Sequence, residues 1–169
     1  DRAYSQYNML INWRKSQLLH EYELFPDKEK LNILLKKLLD TQNFPFSYWV
    51  NQEIEKIRNQ ENTPIDFFPD FLHRGFYYEQ LERYYQFFPV ENILVIEHRE
   101  LKNNRISTLR KIEQFLNIPY VDWNTINLDD KFVSQYNVKL PSDIRNKLKA
   151  FFKPYNEKFY KLIKRNFDW

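Results

Sequence analysis

The sequence of 169 residues contains no cysteine and only one glycine, Gly75. The lack of cysteine excludes a disulfide framework, a zinc site built on thiolates and a thiol nucleophile. Average usage near 7% would give about 12 glycines, and phosphate-cradling loops need several so that backbone N–H groups can approach the anion. Neither G-x-x-x-x-G-K-[ST] nor G-x-G-x-x-G can be written with one glycine, so these residues hold no such loop.

Histidine is also scarce, and long apolar runs are missing. The three histidines, His20, His73 and His98, are scattered, and we predict no metal site. No segment approaches the roughly 18–20 apolar residues of a membrane span, and no signal-peptide pattern opens the chain. The lack of cysteine, and so of any disulfide, together with the lack of a targeting segment, favours the cytoplasm. Residues before Asp1 could hold a targeting segment, however, so the sequence leaves the compartment open.

Aromatic side chains are abundant: they make up 18% of the residues, with 12 Tyr and 15 Phe. The net charge of +3 permits an anionic ligand without requiring nucleic acid. The length suits one domain with a real core. Because the sequence begins with Asp1 rather than Met, next to a predicted helix, we interpret residues 1–169 as a single partial domain of a longer protein.

Helical periodicity dominates the chain, and proline and asparagine supply the stop signals. Pro26 is predicted to begin the second helix at its N1 position. Ser47 is predicted to cap the third helix, and Ser142 the first of two C-terminal helices. The predicted helices cover residues 3–19, 26–39, 47–60, 74–88, 104–117, 142–152 and 154–166.

One strand is predicted, over residues 92–97. This continuous apolar run with β-branched residues suits a strand buried on both faces of a parallel sheet. A parallel strand needs a neighbour, and the sequence offers no second convincing one. Either the run is a core segment of another kind, or its partner strands precede Asp1, which we favour. The predicted fold class is therefore α/β, dominated by helices in this chain.

Several segments, taken in order, resemble motifs of the sulfotransferases that use 3′-phosphoadenosine-5′-phosphosulfate (PAPS). Residues 1–7 resemble the end of the family's 3′-phosphate-binding motif, Arg-x-Pro-x-x-Arg-x-x-Ser-x-Tyr. The other segments are Gly75-Phe76-Tyr77 with Phe88-Pro89, Ile93-Leu94-Val95-Ile96 with Glu100-Leu101, residues 112–118, and residues 152–160 with Trp169. The last of these is similar to the C-terminal helix pair of heparan-sulfate-type enzymes.

Two positions depart from the family pattern. Arg99 stands where the family usually has the Glu of its Glu-x-Leu turn. Asn117 replaces the glycine that ends the family's I-x-x-F-L-G-I helix. We expect Asn117 to adopt the left-handed conformation that such a helix end needs.

The resemblance implies a P-loop-NTPase-like α/β fold, of which this chain holds the C-terminal portion. The half that carries the 5′-phosphosulfate loop and the usual catalytic Glu or His would precede Asp1. The implied reaction transfers a sulfuryl group from PAPS to a hydroxyl or amine acceptor, a saccharide among the candidates, and leaves PAP. Such transfer needs in-line geometry and cationic groups on the donor oxygens. Nucleic acid is not an expected partner.

The resemblance assigns two residues near the N-terminus to the donor site. Ser5 would donate its hydroxyl to the 3′-phosphate, and the alternative is a helix-face or capping serine. Arg2 would either contact the phosphate or serve a structural role, as it often does in the family.

The family's cofactor-covering loop corresponds to residues 130–139, which contain no glycine, unlike the heparan-type pattern Gly-Lys-x-Lys-Gly-Arg. Here Lys131 and Lys139 are candidates to neutralise phosphate charge. Phe132 and Tyr136 are candidates to stack on the adenine. The alternative is an ordinary solvated loop.

No catalytic residue is assigned beyond one candidate, His73, which would border the acceptor cleft as a base or hydrogen-bond donor. A lone histidine is more often an ordinary residue. The tyrosines of the fourth helix suggest core positions rather than a sugar platform, and the basic runs suggest solvated faces. These side chains are Tyr77, Tyr78, Tyr84, Tyr85, Lys36, Lys37, Lys161, Lys164 and Arg165. The second hypothesis is a non-catalytic helical domain that binds a protein or nucleic acid through a basic, aromatic surface.

We expect residues 1–169 alone to show negligible sulfotransferase turnover, because the 5′-phosphosulfate loop and the family's usual base are not among them. Incubation of the purified polypeptide with PAPS and candidate acceptors, followed by measurement of released PAP, tests this. Robust turnover by these residues alone would refute the expectation.

Overall fold

The structure is a computed structural model that describes residues 2–12, 27–59, 70–129, 139–167 and 169. Helices dominate these residues, as predicted. They are α1 (Arg2–Asn12), α2 (Lys28–Leu39), α3 (Phe46–Arg58), α4 (Tyr77–Tyr85), α5 (His98–Asn103), α6 (Arg105–Leu116) and α7 (Ser142–Ile163), with 3-10 turns at His73–Gly75, Val90–Asn92 and Trp123–Thr125. The chain divides into two compact units, Asp1–Tyr77 with Ser134–Tyr155 and Tyr78–Val133 with Asn156–Trp169.

The first unit has a core of aliphatic side chains and aromatic rings. The rings of Tyr7 and Phe46 lie 5.2 Å apart, and each lies 5.8 Å from the ring of Phe71. Burial of each such side chain contributes about 1.5–3 kcal/mol. The buried apolar residues of this core are Tyr7, Leu10, Leu31, Leu35, Leu38, Phe46, Trp49, Val50, Ile54, Phe71, Leu72, Leu140, Ile144 and Leu148.

The second unit contains a buried carboxylate with three donors. Glu113 on α6 is 1% exposed and accepts from the Arg110 guanidinium, the Trp123 indole and the Val121 N–H, each at 2.8 Å. Burial alone would raise the pKa of Glu113, but these hydrogen bonds outweigh it and hold the pKa below its ordinary value. The carboxylate therefore ties α6 to the loop that follows it.

A second carboxylate of this unit joins α5 to α6 and to the C-terminal residues. Glu100 accepts from Lys111 and, at 2.7 Å, from Arg165. Hydrogen bonds from these two cations, that from Lys111 being the larger influence, hold the pKa of Glu100 below its ordinary value.

The terminal tryptophan packs within the second unit. Its indole donates to Glu97 at 3.0 Å, and the Trp169 ring stacks on Phe159 with centroids 5.8 Å apart. Phe167 lies 5.0 Å from the same ring. The C-terminal aromatic residues thus form a cluster beside the segment that leads into α5.

The strand predicted over residues 92–97 does not form among the described residues. The backbone is extended at Ile93, with φ −126° and ψ 113°. A strand also needs a neighbour to complete its ladder of hydrogen bonds, and the described ranges contain no strand. Leu94 is 39% exposed. The apolar composition therefore predicted a burial that these residues do not provide.

Two predicted helix starts shift by one or two residues. α2 begins two residues later than predicted, after Asp27, whose carboxylate caps the helix by accepting the Lys30 N–H at 2.8 Å. α3 begins at Phe46, with Pro45 in the capping position, so Ser47 lies inside the helix.

The two helices predicted at the C-terminus are one helix. α7 begins at Ser142, the residue predicted to cap it, and continues through Pro154 to Ile163. A proline inside a helix removes one backbone hydrogen bond. The turn of α7 that precedes Pro154 packs in the first unit, where the ring of Phe152 lies 5.8 Å from that of Phe76.

The end of α6 confirms a prediction. Asn117 adopts the left-handed conformation, with φ 50° and ψ 45°. The Ile118 N–H donates to the Glu113 carbonyl at 3.1 Å and the Asn117 N–H to the Gln114 carbonyl at 3.2 Å. These bonds satisfy carbonyls of the last turn, as glycine does at many helix ends.

Gly75 is required by a close approach rather than by its backbone conformation, because its φ is not positive. A Cβ at this position would lie 2.8 Å from Cε1 and 2.9 Å from Cζ of Phe152. The Phe152 ring also packs against Phe151 and Phe76, with centroids 5.1 and 5.8 Å away, which restricts its retreat. The lone glycine therefore lets this ring of α7 pack against the turn at His73–Gly75.

We expect Gly75→Ala to lower the free energy of unfolding by about 1–3 kcal/mol, because the new methyl overpacks against Phe152. Urea denaturation of the single variants and of the double variant with Phe152→Leu measures the effect. Leucine removes the ring atoms that meet the methyl, so the alanine should cost roughly half as much in that background. Equal costs in both backgrounds would show that the ring is not the obstacle.

Candidate functional site

The donor-site candidates near the N-terminus lie on the exposed face of α1. Tyr7 and Leu10, on the opposite face, are buried in the core of the first unit. Arg2 and Ser5 are three residues apart, which places them on one helix face, and both are exposed. Among the described residues, the Ser5 hydroxyl has no hydrogen-bond partner.

A hydrogen bond joins Arg2 to the start of α4. Its Nη1 donates to the Tyr77 hydroxyl at 3.1 Å, across 75 positions of sequence. A guanidinium carries five N–H donors in a planar fork, so one bond to Tyr77 orients the plane and leaves donors for an anion. The structure thus brings together residues from two of the motif-like segments. We call Arg2, Ser5 and Tyr77 the α1 patch.

A buried carboxylate anchors the segment before Tyr77. Glu53 on α3 is 2% exposed. Its Oε1 accepts the Phe71 N–H at 2.7 Å, and its Oε2 accepts the Leu72 N–H at 2.6 Å. Phe71 and Leu72 are themselves buried and lead directly into the 3-10 turn His73–Gly75. Both carboxylate oxygens therefore fix the backbone of residues 70–75, which we call the 70–75 turn.

The environment of Glu53 shifts its ionisation. Burial raises the pKa of Glu53 to about 7, against the lowering effect of the two N–H bonds. The charge of Asp70 raises this pKa further, and that of Lys56 lowers it. A buried acid with a pKa near neutrality is a feature that functional sites often contain.

Asp70 begins the 70–75 turn in an uncommon conformation, with a φ of 57°. Its Oδ2 accepts from the Arg74 Nε at 3.3 Å. Its Oδ1 is buried and has no hydrogen-bond partner within the described ranges. Two acidic side chains, Asp70 and Glu53, therefore meet at the start of this turn.

His73, the candidate catalytic residue, is exposed on the 70–75 turn. Its Nδ1 lies 3.9 Å from Oδ1 of Asp70, and its ring packs edge-on against Phe76 with centroids 5.7 Å apart. These contacts are compatible with an ordinary surface histidine. They are equally compatible with the predicted position of His73 beside the sulfuryl acceptor. Its role therefore stays a prediction.

The candidates of the cofactor-covering loop are only partly described. Lys131, Phe132 and Tyr136 lie outside the described residues. Lys139 is exposed next to Leu140, which is buried in the core of the first unit. Within the part of the chain that the structure describes, no hydrogen bond or ion pair joins Lys139 to the α1 patch. The roles of all four residues stay predictions.

Several tyrosine and basic side chains make local contacts. The Tyr78 hydroxyl donates to Glu82, and this hydrogen bond raises the pKa of Tyr78. Tyr84 is 58% exposed, so the prediction that it belongs to the inner face of α4 is wrong. Arg165 is bound by the Glu100 carboxylate rather than lying unpaired on a solvated face.

Sequence reasoning missed the contact of Glu53 and the bond between Arg2 and Tyr77. For Glu53 a signal exists: it lies three residues after Val50 and four before Ile57, on the apolar face of α3. A carboxylate in such a position is rarely buried unless it is paired. No local periodicity connects Arg2 with Tyr77, so nothing in the sequence could have predicted that bond.

The comparison with known families identifies the class of protein. The family model described as Sulfotransferase domain matches residues 1–135, well over half of the chain. The chain therefore belongs to the sulfotransferase family. The matched residues include the α1 patch, Glu53 and the 70–75 turn.

The chain is similar to curated sulfotransferases. It is 33% identical over 98 residues to the membrane-associated sulfotransferase kil1 of Dictyostelium discoideum, covering 58% of this chain and 20% of that protein. It is 24% identical over 123 residues to heparan sulfate glucosamine 3-O-sulfotransferase 5 of Homo sapiens and of Mus musculus, covering 55% of this chain and 32% of each. The matches thus span a third or less of these relatives. No solved structure matches the chain.

Two further features bear on the class of site. None of the helices in the described ranges combines the length and apolar character that crossing a bilayer requires. The same ranges contain no group of three or more His, Asp or Glu side chains placed to hold a metal ion.

The folded-state pKa of Glu53, about 7 against an ordinary 4.5, predicts how stability depends on pH. The folded chain holds this proton more tightly, so the contribution of Glu53 to stability is fully present below pH 4.5 and is lost as pH rises through 7. At about 1.4 kcal/mol per pKa unit, the loss is about 3 kcal/mol.

Urea denaturation between pH 4.5 and 8 should show wild type losing this stability relative to Glu53→Gln, which cannot ionise. Glu55→Gln, on the exposed side of the same helix, is the control and should parallel wild type. Parallel curves for wild type and Glu53→Gln would contradict the expectation.

Proposed function

We propose that this chain is the C-terminal portion of a PAPS-dependent sulfotransferase domain and that the α1 patch binds the 3′-phosphate of the donor. The observation that supports this most is the placement of Arg2 and Ser5 on one exposed helix face, with Arg2 held by Tyr77. Membership in the sulfotransferase family supports sulfuryl transfer as the reaction type.

The chemistry of the α1 patch suits a phosphate. The Ser5 hydroxyl supplies a neutral donor, and the Arg2 guanidinium supplies a cation whose fork matches phosphate oxygens. Hydrogen bonds to an anion are about twice as strong as neutral ones.

The remainder of the donor site is proposed on the family resemblance. Lys131 and Lys139 neutralise phosphate charge, and Phe132 or Tyr136 stacks on the adenine. Residues 92–97 pair as a strand in the P-loop-NTPase-like sheet of the complete domain. Their extended backbone at Ile93 and their apolar composition support this pairing.

The acceptor is a hydroxyl or an amine, and His73 borders its site. The names of two similar proteins, both heparan sulfate glucosamine 3-O-sulfotransferases, support a saccharide hydroxyl as the acceptor class. The exposure of His73 on the 70–75 turn is consistent with contact to such a ligand.

Ser5→Ala should weaken binding of PAP to the full-length protein that carries these residues. A hydrogen bond to a charged group contributes about 1.5–3 kcal/mol, so the dissociation constant should rise about 10- to 100-fold. Isothermal titration calorimetry measures it, with AMP, which lacks the 3′-phosphate, as the matched ligand. The affinity for AMP should not change.

Ser107→Ala is the control variant, because Ser107 is an exposed helical serine of the second unit. It should bind PAP as wild type does. An unchanged PAP constant in Ser5→Ala would remove Ser5 from the site. Failure of wild type to bind PAP at all would overturn the proposal and favour the helical binding domain of the second hypothesis.

A further inference from the structure

We propose that Glu53 is a positioning residue for the donor site: its carboxylate fixes the 70–75 turn, the turn fixes Tyr77, and Tyr77 orients Arg2. This inference rests on the proposed function, since it takes the α1 patch as the phosphate subsite. Glu53 belongs to none of the segments that resemble family motifs.

The geometry of Glu53 is suited to placing a backbone. Its two oxygens accept from the consecutive N–H groups of Phe71 and Leu72 at 2.7 and 2.6 Å. Two such bonds set both the position and the direction of the chain as it enters the turn. Only a carboxylate offers two equivalent acceptors, because a glutamine would present an NH₂ group to one of the N–H donors.

Burial of the Glu53 carboxylate costs free energy, and packing of α3 alone does not explain why a carboxylate occupies this position. The carboxylate is 2% exposed and sits on the apolar face of α3 beside Val50 and Ile54, both buried. Its two hydrogen-bond donors are neutral main-chain groups, and burial of a charge against neutral partners is unfavourable relative to an apolar side chain of similar volume. A role in placing the turn accounts for the retention of a charge here.

Ionisation of Glu53 links this placement to pH. The charged groups that act on Glu53 are Lys56 of α3 and Asp70 of the turn. Asp70 in turn faces His73 and Arg74, and Tyr7 of α1 packs against the ring of Phe71. When Glu53 takes up a proton, one of its oxygens becomes a hydroxyl and a weaker acceptor for its N–H donor. The turn is then held less firmly, and so are Tyr77 and Arg2. Donor affinity should therefore follow the ionised fraction of Glu53.

Stability and donor affinity consequently change in opposite directions with pH. Burial of the Glu53 charge lowers stability as pH rises, whereas the same charge strengthens the placement of Arg2. A residue with a merely structural role would change the stability and leave the PAP dissociation constant as it is. A pH dependence of donor affinity that runs opposite to that of stability therefore separates a positioning role from a structural one.

The test is the PAP dissociation constant of the full-length protein at pH 5.5 and pH 8, by calorimetry. At pH 8, Glu53→Gln should bind PAP about tenfold more weakly than wild type. At pH 5.5 the two should agree within about twofold, because wild-type Glu53 is then mostly protonated. The phosphates of PAP titrate equally in both experiments, so the comparison between proteins cancels that effect.

The matched control is Glu113→Gln. Glu113 is also a buried carboxylate that accepts a main-chain N–H, but it lies in the second unit and has no bond to the α1 patch. Its variant should lose stability and keep the wild-type PAP constant at pH 8. Loss of PAP binding in Glu113→Gln equal to that in Glu53→Gln would overturn the inference, because any buried carboxylate would then serve.

A second variant tests the route through Tyr77. In a Tyr77→Phe background, which lacks the hydroxyl that holds Arg2, Glu53→Gln should add less than about twofold to the PAP constant. If Glu53→Gln does not fold, the pH profiles decide: wild type should bind PAP more weakly at pH 5.5 than at pH 8 by a larger factor than Tyr77→Phe does. Identical profiles would overturn the inference.

The two proposals fail in different ways. If wild type does not bind PAP, the proposed function is wrong. If wild type binds PAP but Glu53→Gln binds it equally well at pH 8, only the positioning role of Glu53 is wrong.

Discussion

The 70–75 turn depends on one interaction, the Glu53 carboxylate with two main-chain N–H groups. Phe71 and Leu72 are buried outside regular structure, and buried backbone donors must find acceptors. The backbone hydrogen bonds of the turn engage the N–H groups of Gly75 and of Phe76. The donors at its start are therefore satisfied from α3, and the position of Tyr77, two residues after the turn, follows from the same bonds.

The buried carboxylates of the two units differ in the hydrogen-bond donors that they receive. Glu113 receives three donors, one of them the Arg110 guanidinium, and its pKa falls below the ordinary value. Glu53 receives two neutral donors, and burial raises its pKa to about 7. The number and the charge of the donors decide the direction. Glu113 in the second unit is therefore ionised at neutral pH. Glu53 in the first unit, with a pKa of about 7, is partly protonated at neutral pH.

Local sequence signals predicted the parts of the structure that depend on neighbours along the chain. Helical periodicity predicted the helices that dominate the described residues, and Asn117 predicted the end of α6. No strand forms at residues 92–97 in the described part of the chain, because apolar composition indicates burial but supplies no pairing partner. The continuation of α7 through Pro154 and the bond to Tyr77 depend on residues far away in sequence, which periodicity does not reach.

The scarcity of glycine has a consequence beyond Gly75. Left-handed backbone positions are occupied by Asp70, Asn117 and Lys164, with φ between 50° and 57°, although glycine adopts this conformation with less strain. In the unfolded state, however, a chain with one glycine explores fewer backbone conformations, and it loses less entropy on folding. Part of the stability of this protein therefore arises from the restricted denatured ensemble and does not correspond to any contact in the folded chain.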